Sequence, residues 1–411
     1  MLRPKCGGAV MLITNPDKFE GINEPYFKFM GSCTSLTNEN ILDFFSSFSK
    51  AILKCNEAKE FPDLITLGFF CRRANIKRAL TEVQNLNYRL GWGTAVHIAP
   101  SNIPMNFAFS FFISLLSGNT NIVRLPSKEF PQVELFLNQF EELTNKKKFK
   151  SIGEKNFFVR THRDSNLLDQ LIYKADILIS WGGNETVQAF RTKDRKAKSI
   201  EVSFPNKISS VIIGSEKYLN LSKNEQDVLT TNFYNDTFLV DQNACSSPSK
   251  VFWLGSADDN KSAKSLFWDQ LEQRLNASGS LHPVSRMDKI LDIMKYNAKN
   301  EQALWKIDLE KNLWVIPLCE KVKNPESLKG RFGMFFEKEI KELSETVRYI
   351  SDVEQTISYH GILAEDLRKI IIQNEINGVD RIVPIGKALD MGFIWDGQNL
   401  LTKLSREISL I

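Results

Sequence analysis

The sequence predicts an α/β protein with two sheets, the first of them parallel, and three observations support this fold class. Its 411 residues are enough to form two substantial hydrophobic cores. Short apolar segments alternate with helical periodicity from residue 94 to the Gly182-Gly183 turn, which is typical of a parallel sheet with helices on both faces. After Pro205-Asn206 the rhythm changes, and further apolar segments indicate a second sheet.

Two helices are predicted before the alternating region. The first covers residues 40–55, where apolar side chains at helical spacing are expected to face a core, and the second covers residues 64–82. The apolar residues of the first helix are Ile41, Phe44, Phe45, Phe48 and Ile52.

The alternating region then supplies the strands of the first sheet. These strands are predicted at residues 94–99, 121–125, 157–161 and 175–180. Four helices are predicted between and after them: one that ends at Gly118, two that cover residues 129–144 and 166–174, and one that begins at the Gly182-Gly183 turn. Parallel sheets of this kind bind ligands at the carboxyl ends of their strands. The polar residues that follow these strands are therefore candidates for a functional site.

The second region contains the remaining predicted strands. They cover residues 207–214, 250–254, 313–318, 332–336 and 356–359, and a long helix precedes Cys245. We therefore expect three parts of the chain, with boundaries at 1–205, 206–365 and 366–411.

Composition excludes several classes of function. The chain is 42% hydrophobic and 25% charged, and its net charge of +4 argues against nucleic acid binding through a dense basic surface. Six scattered cysteines without a CxxC pair predict neither a disulfide framework nor a metal site, and they suit a reducing compartment. The most apolar window, 107–116, is too short for a membrane span, and the N-terminus lacks a signal-peptide pattern. We expect a cytoplasmic protein without a metal, a membrane span or a nucleic acid partner.

Polar residues follow the first two predicted strands. Asn102 follows the first, in Pro100-Ser101-Asn102, where an amide at the start of a helix can stabilise negative charge. A plain helix cap is the alternative. Arg124 and Ser127 lie at the end of the second strand, where the guanidinium is suited to binding phosphate or to a surface ion pair.

A cysteine among small and polar residues is the candidate nucleophile. Cys245 lies in Asp241-Gln-Asn-Ala-Cys-Ser-Ser-Pro248, which leaves room for a substrate and for backbone donors around a thiolate. Cys71 lies between Phe70 and Arg72 in a predicted helix, so we interpret it as a packed residue.

Together these segments resemble the aldehyde dehydrogenase superfamily. Their order matches, from strand-Pro-x-Asn-x-Pro through Gly-Asn-Thr with a basic residue and a glycine turn to the cysteine. More narrowly, the chain resembles the LuxC-type acyl-CoA reductases of bacterial fatty-acid reductase systems over about residues 60–411. This resemblance is carried by Phe61-Pro-Asp-Leu, Phe70-Cys-Arg-Arg-Ala-Asn-Ile76, Ser180-Trp-Gly-Gly-Asn-Glu185, Asp241 to Pro248, Gly378-Val-Asp-Arg-Ile-Val-Pro-Ile-Gly386 and Ile394-Trp-Asp-Gly397.

The resemblance implies an aldehyde dehydrogenase-like fold and a thioester mechanism. A Rossmann-type dinucleotide-binding domain would occupy residues 1–205, a thiol-bearing catalytic domain 206–365, and a segment packing back on the cofactor domain 366–411. Cys245 would carry the acyl group, and the Asn102 amide with the Cys245 backbone N–H would hold the oxyanion. The product would be an aldehyde.

The resemblance also implies a nicotinamide cofactor. Because Ser127 replaces the glutamate common in NAD-dependent relatives and Arg124 adds positive charge, NADPH is favoured. The cofactor-binding candidates are Ser101, Arg124, Ser127, Gly182 and Gly183.

The base that activates water in aldehyde oxidation has no certain counterpart. Aligning the chain on Lys207 places Ser203 at that position, whereas a two-residue slip restores Glu201 as the catalytic base. A weak base fits reduction, because hydride rather than water then attacks the thioester. The alternatives are an aldehyde dehydrogenase that uses Glu201, or a non-catalytic scaffold of a fatty-acid reductase complex.

The resemblance further implies an acyl-CoA or acyl-protein substrate, an acyl-protein synthetase partner and a homo-oligomer. The short stretch between residue 82 and Gly91 leaves little room for a bridging hairpin, which argues against the usual tetramer.

Overall fold

A computed structural model describes residues 12–13, 30–100, 103–126, 128–279, 281–300, 308–318 and 325–410. The chain forms two compact units, Met1–Pro205 with Met391–Ile411, and Asn206–Asp390. Each unit has its own sheet and hydrophobic core.

The first unit opens with seven described strands and eight helices. Strands β1 to β7 are Leu12–Ile13, Arg89–Gly91, Thr94–Ile98, Thr120–Arg124, Asn156–Val159, Ile177–Trp181 and Ile200–Phe204. Helices α1 to α8 are Glu39–Lys54, Pro62–Phe70, Arg73–Thr81, Asn106–Leu116, Pro131–Thr144, Lys150–Gly153, Asn166–Lys174 and Asn184–Arg191.

Six of these strands form a parallel sheet in the order β1-β5-β4-β3-β6-β7. The chain runs outward from β3 through β4 and β5, and then returns to β6 on the other side of β3. This reversal creates a switch point flanked by the carboxyl ends of β3 and β6. In sheets of this type, the crevice at the switch point is where ligands bind.

The predicted apolar face of α1 is confirmed, since its five named residues are buried. Phenylalanines from α1, α4, α5 and β5 meet there in edge-to-face and tilted pairs. The ring centroids of Phe48 and Phe112 are 4.8 Å apart, and those of Phe44 and Phe140 are 5.5 Å apart. This core fixes the helices against the sheet.

The single helix predicted at 64–82 is in fact two helices, α2 and α3. The first helix ends at Cys71, and Arg72 takes an extended conformation with ψ of 135° before the second helix begins. The side-chain amide of Asn75 donates to the carbonyl oxygen of Phe70 at 2.9 Å, which satisfies a group that the break leaves without a helical partner. Apolar periodicity continues across the break, so it cannot reveal the break.

The second unit contains strands β8 to β13 and helices α9 to α13. The strands are Ile208–Gly214, Pro248–Leu254, Trp314–Pro317, Met334–Ile340, Glu354–His360 and Arg381–Pro384. The helices are Ser215–Leu219, Lys223–Phe238, Ala257–Ala277, Pro283–Asn300 and Ala364–Gln373. The strands form a second parallel sheet in the order β10-β11-β9-β8-β12-β13. Successive side chains of a strand point to opposite faces of the sheet, so the neighbours Phe252 and Trp253 belong to two different hydrophobic core clusters.

The predicted boundary at residue 366 requires a correction. Residues 366–390 belong to the second unit, because β13 pairs in parallel with β12 and extends the second sheet. The segment that returns to the first unit is Met391–Ile411, which contains β14 (Ile394–Trp395), β15 (Gln398–Asn399), α14 (Leu400–Lys403) and β16 (Ser405–Glu407). Strand β16 pairs antiparallel with β2, where the buried Arg89 side chain donates to Ser405 Oγ at 2.9 Å.

None of the helices in the described part of the chain combines the length and the hydrophobicity that a bilayer crossing requires.

Candidate active site

Cys245 lies in a turn between α10 and β9, and its backbone is fixed from two sides. The Ser247 N–H donates to the carbonyl oxygen of Ala244 at 3.2 Å, which closes the turn. The Ser209 hydroxyl on β8 donates to the carbonyl oxygen of Cys245 at 2.7 Å. The Cys245 side chain is partly buried, so the thiol is both positioned and open to a reactant.

A buried glutamine holds the approach to this turn in an unusual conformation. Asp241 and Gln242 have φ values of 50° and 58°, a region that residues other than glycine rarely adopt. The Gln242 side-chain amide donates to the carbonyl oxygens of Pro248 at 2.9 Å and Met334 at 3.1 Å. Its oxygen accepts the Gly333 N–H at 3.0 Å. Three backbone contacts therefore offset the local strain.

The sulfur of Cys245 has a direct hydrogen-bond donor. The Gln355 Nε2 on β12 donates to Cys245 Sγ at 3.1 Å, and the Gln355 side chain is fully buried. The Asp380 N–H donates to the carbonyl oxygen of Gln355 at 2.7 Å. A neutral donor therefore contacts the Cys245 sulfur.

A lysine adds positive charge near this sulfur. Burial lowers the pKa of Lys329, whereas negative charge on Cys245 raises it. The Lys329 side chain therefore interacts electrostatically with the Cys245 sulfur.

Cys71 differs sharply from Cys245. It is fully buried beside apolar side chains, and burial raises the pKa of its thiol well above the ordinary value. The interpretation of Cys71 as a packed residue is confirmed.

The first unit has features that fit a dinucleotide cofactor at its sheet edge. Gly182 and Gly183 follow β6, and Gly183 is the N-terminal cap of the eight-residue helix α8 without a capping side chain. Backbone N–H groups at such a helix start suit phosphate oxygens. A Cβ atom on Gly182 would come within 3.2 Å of the Thr186 side chain, so a larger residue would crowd this turn.

Arg124 is the last residue of β4, next to the central strand. Its Nε donates to the carbonyl oxygen of Thr161 at 3.0 Å, and burial, followed by the charge of Arg163, lowers the pKa of the guanidinium. Ser101, Asn102 and Ser127 lie outside the described residues, and their roles stay predictions.

Glu201 lies on β7 and is ion-paired. Its carboxylate oxygens contact Arg191 Nε at 3.0 Å and an Arg195 guanidinium nitrogen at 3.2 Å. The Ser203 hydroxyl also donates to it. Burial opposes ionisation, but the Ser203 hydrogen bond and the two guanidinium groups together lower the pKa of Glu201. A carboxylate stabilised in this way is a weak proton acceptor.

The roles of Gln355, Lys329 and Ser209 around the cysteine were not predicted from the sequence. The available signal for Gln355 was the polar run Glu354-Gln355-Thr356 at the start of a predicted strand, since buried polar side chains need specific partners. The contact with Cys245 joins residues 110 positions apart, so spacing alone does not reveal it. Within the described ranges, no group of three or more His, Cys, Asp or Glu side chains could hold a metal ion.

Solved structures define the class to which this fold belongs. The glyceraldehyde-3-phosphate dehydrogenase GapN of Methanocaldococcus jannaschii, solved with NADP, matches 90% of this chain and 89% of its own, with a TM-score of 0.57 and 12% identity. The propionaldehyde dehydrogenase of Rhodopseudomonas palustris, solved with propionyl-CoA, matches 87% and 82%, with a TM-score of 0.53 and 10% identity. The chain therefore has the aldehyde dehydrogenase fold, as predicted.

Sequence comparison identifies the family within that class. The acyl-CoA reductase (LuxC) family matches residues 63–407, and the chain belongs to this family. This confirms the narrower resemblance.

Curated relatives are more distant in sequence. Long-chain acyl-protein thioester reductase 2 of Photobacterium leiognathi is 22% identical over 343 residues, 77% of this chain and 64% of that protein. The long-chain acyl-protein thioester reductase of Photobacterium phosphoreum is 22% identical over 339 residues, 77% and 62% respectively. The chain thus spans slightly under two thirds of the length of these relatives.

Proposed function

We propose that this protein is a nicotinamide-dependent reductase that converts a long-chain acyl thioester to an aldehyde through an acyl group on Cys245. The observation that carries this proposal is the Cys245 sulfur itself, which lies in a fixed turn, receives the Gln355 hydrogen bond and interacts with Lys329. Family membership and the names of the curated relatives support the substrate class.

In the first step, the Cys245 thiolate attacks the carbonyl carbon of the acyl thioester. A bond forms between Cys245 Sγ and this carbon, and the carbon–sulfur bond to the donor breaks. The donor thiolate leaves and takes a proton from solvent. Asn102 and the Cys245 backbone N–H are the proposed donors to the oxyanion formed on the way.

The proposed cofactor, NADPH, supplies a hydride when bound. Gly182 and Gly183 would hold its pyrophosphate at the start of α8. Ser101, Arg124 and Ser127 complete the proposed cofactor-binding set, with Arg124 beside the 2′-phosphate. Once the acyl carbon has been reduced, the thiohemiacetal on Cys245 collapses, the carbon–sulfur bond breaks, and the aldehyde leaves.

Reduction is favoured over hydrolysis by the state of Glu201. A water-activating base needs a carboxylate free to accept a proton, whereas Glu201 is ion-paired with Arg191 and Arg195 and its pKa is lowered. The oxidative aldehyde dehydrogenase alternative is therefore the weaker proposal, and an intact thiol site argues against a scaffold.

The acyl donor is proposed to be acyl-CoA or an acyl-protein thioester. An acyl-protein synthetase is the proposed partner for the second donor. We also propose a homo-oligomeric, cytoplasmic protein.

Incubation with a long-chain acyl-CoA and mass analysis of the peptide containing Cys245 tests the proposal. We expect an acyl adduct on Cys245 in the wild type that NADPH discharges with release of aldehyde. Cys245→Ala should abolish the adduct, whereas Cys55→Ala, which changes another partly buried cysteine, should retain it. Release of free acid would favour the oxidative alternative. An adduct that persists in Cys245→Ala would show that the nucleophile is a different residue.

A further inference from the structure

We propose that Gln355 is a catalytic residue, whose side-chain amide stabilises the Cys245 sulfur whenever that atom carries negative charge. The first such state is the thiolate that attacks, and the second is the thiolate that leaves when the thiohemiacetal collapses. The role in the leaving thiolate rests on the proposed function. The role in the attacking thiolate depends only on the ionisation of the Cys245 thiol.

Gln355 occupies an irregularity in the second sheet. Along β12 and β8, Glu354 pairs with Ile208 and Thr356 pairs with Ser209, so Gln355 is an extra residue between two successive pairs. Such a bulge re-aims a side chain that a regular strand would direct elsewhere, and bulges are enriched next to active sites. Here the re-aimed amide contacts Cys245 Sγ at 3.1 Å.

The residue before the bulge is anchored by buried charge. The Glu354 carboxylate accepts hydrogen bonds from the Lys250 ammonium on β9 and from the Ser210 hydroxyl on β8. Both members of the Lys250–Glu354 pair are fully buried, so removing either side chain would leave an unpaired charge in the core. This pair fixes the position where the bulge begins.

The residue after the bulge is linked to the cysteine backbone. The Thr356 N–H donates to Ser209 Oγ at 3.1 Å, and the same hydroxyl donates to the carbonyl oxygen of Cys245 at 2.7 Å. The Ser209 hydroxyl therefore links the bulge to the turn that carries Cys245 through two successive hydrogen bonds.

The orientation of the Gln355 amide follows from its neighbour. The Thr356 hydroxyl donates to Gln355 Oε1 at 3.3 Å, which directs the NH2 group rather than the oxygen toward Sγ. An amide does not ionise, so this donor is present over the whole working pH range. Because the thiolate accepts hydrogen bonds more strongly than a thiol or a thioester sulfur, the contact strengthens in both charged states.

The rate of Cys245 alkylation by iodoacetamide against pH tests this inference without any cofactor or acyl donor. Peptide mass analysis follows Cys245 alone in the full-length protein. Gln355→Met keeps the approximate volume and removes the donor, while Gln355→Glu places a negative charge beside the sulfur. Gln373→Met, at the exposed end of α13, is the matched control.

We expect the alkylation midpoint to rise by about one pH unit in Gln355→Met, which lowers the thiolate fraction about tenfold at pH values below both midpoints, and to rise further in Gln355→Glu. The control should match the wild type. The order wild type, Met, Glu is the signature, since a purely structural role would not rank a neutral and an anionic replacement in this way. Equal midpoints in wild type and Gln355→Met would overturn the inference.

The outcome also separates this inference from the proposed function. If the alkylation midpoints shift in the Gln355 variants but the wild type forms no acyl adduct, Gln355 stabilises the thiolate and the proposed reductase function is wrong. An adduct in the wild type together with unshifted midpoints would retain the reductase and reject Gln355.

Discussion

The chemistry of the candidate site depends on what surrounds a single sulfur atom. Cys245 and Cys71 are the same residue type, yet one is partly exposed beside the Gln355 amide and interacts with Lys329, whereas the other is fully buried. The small residues around Cys245 and the order of the motifs made it the candidate nucleophile in the sequence. Its partners Gln355 and Lys329 were not predicted, because long-range contacts bring them to the sulfur.

Glu201 leads to a prediction at the same scale. Glu201→Gln should change the rate of acyl-Cys245 hydrolysis to free acid by less than about twofold, because the carboxylate already serves as a partner of Arg191 and Arg195. A general base contributes roughly 100-fold or more to such a step. The measurement is release of labelled acid from the preformed acyl-enzyme without cofactor. A fall of 100-fold would instead assign Glu201 as the base.

Elements are positioned by buried polar groups as well as by apolar packing. Near the end of α10, the Asp236 carboxylate accepts the Gly386 N–H at 2.6 Å and the Ala388 N–H at 3.0 Å. The Asp236 carbonyl oxygen accepts the Ser247 hydroxyl at 2.8 Å, two residues after Cys245. Asp236 thus connects α10, the loop after β13 and the turn that carries Cys245.

This buried carboxylate makes stability depend on pH. Burial raises the pKa of Asp236 to about 6, although the two backbone N–H groups oppose the shift. The folded state therefore holds the proton more tightly than the unfolded state, where the pKa is about 3.9. The resulting stabilisation is complete below about pH 4 and is lost as the pH rises through about 6.

Asp236→Asn should remove this dependence. The difference in free energy of unfolding, wild type minus variant, should fall by about 2 kcal/mol between pH 4 and pH 7, as measured by denaturant unfolding. Asp258→Asn, an exposed carboxylate on α11, is the control and should show no such trend. A difference that grows with pH would mean that the pKa of Asp236 is lowered instead.

Helices and strands were predicted correctly where a local pattern of apolar residues determines them. The strand predicted at 94–99 is observed as Thr94–Ile98, because a short run rich in apolar residues is typical of a buried parallel strand. The break between α2 and α3 and the pairing of β13 with β12 were missed. The first leaves apolar periodicity intact, and the second depends on a partner strand distant in the sequence.

At the scale of the whole molecule, the chain consists of two units with parallel sheets, and each carries part of the proposed chemistry. The first has a switch point beside Gly182 and Gly183, and the second fixes Cys245. The fold class was predictable because the first half alternates predicted strands with helices, the second half contains further apolar strands, and the motif order matches a known superfamily. The strand orders were not, since pairing is set by tertiary packing.

We propose that the acyl group on Cys245 is reduced rather than hydrolysed. Acyl-enzyme prepared with a long-chain acyl-CoA and then mixed with NADPH deuterated at the transferable position gives a direct measurement by mass spectrometry. We predict an aldehyde that carries one deuterium at its carbonyl carbon, in an amount equal to the adduct lost from Cys245. Free acid without deuterium, or aldehyde formed while the adduct persists, would contradict the claim.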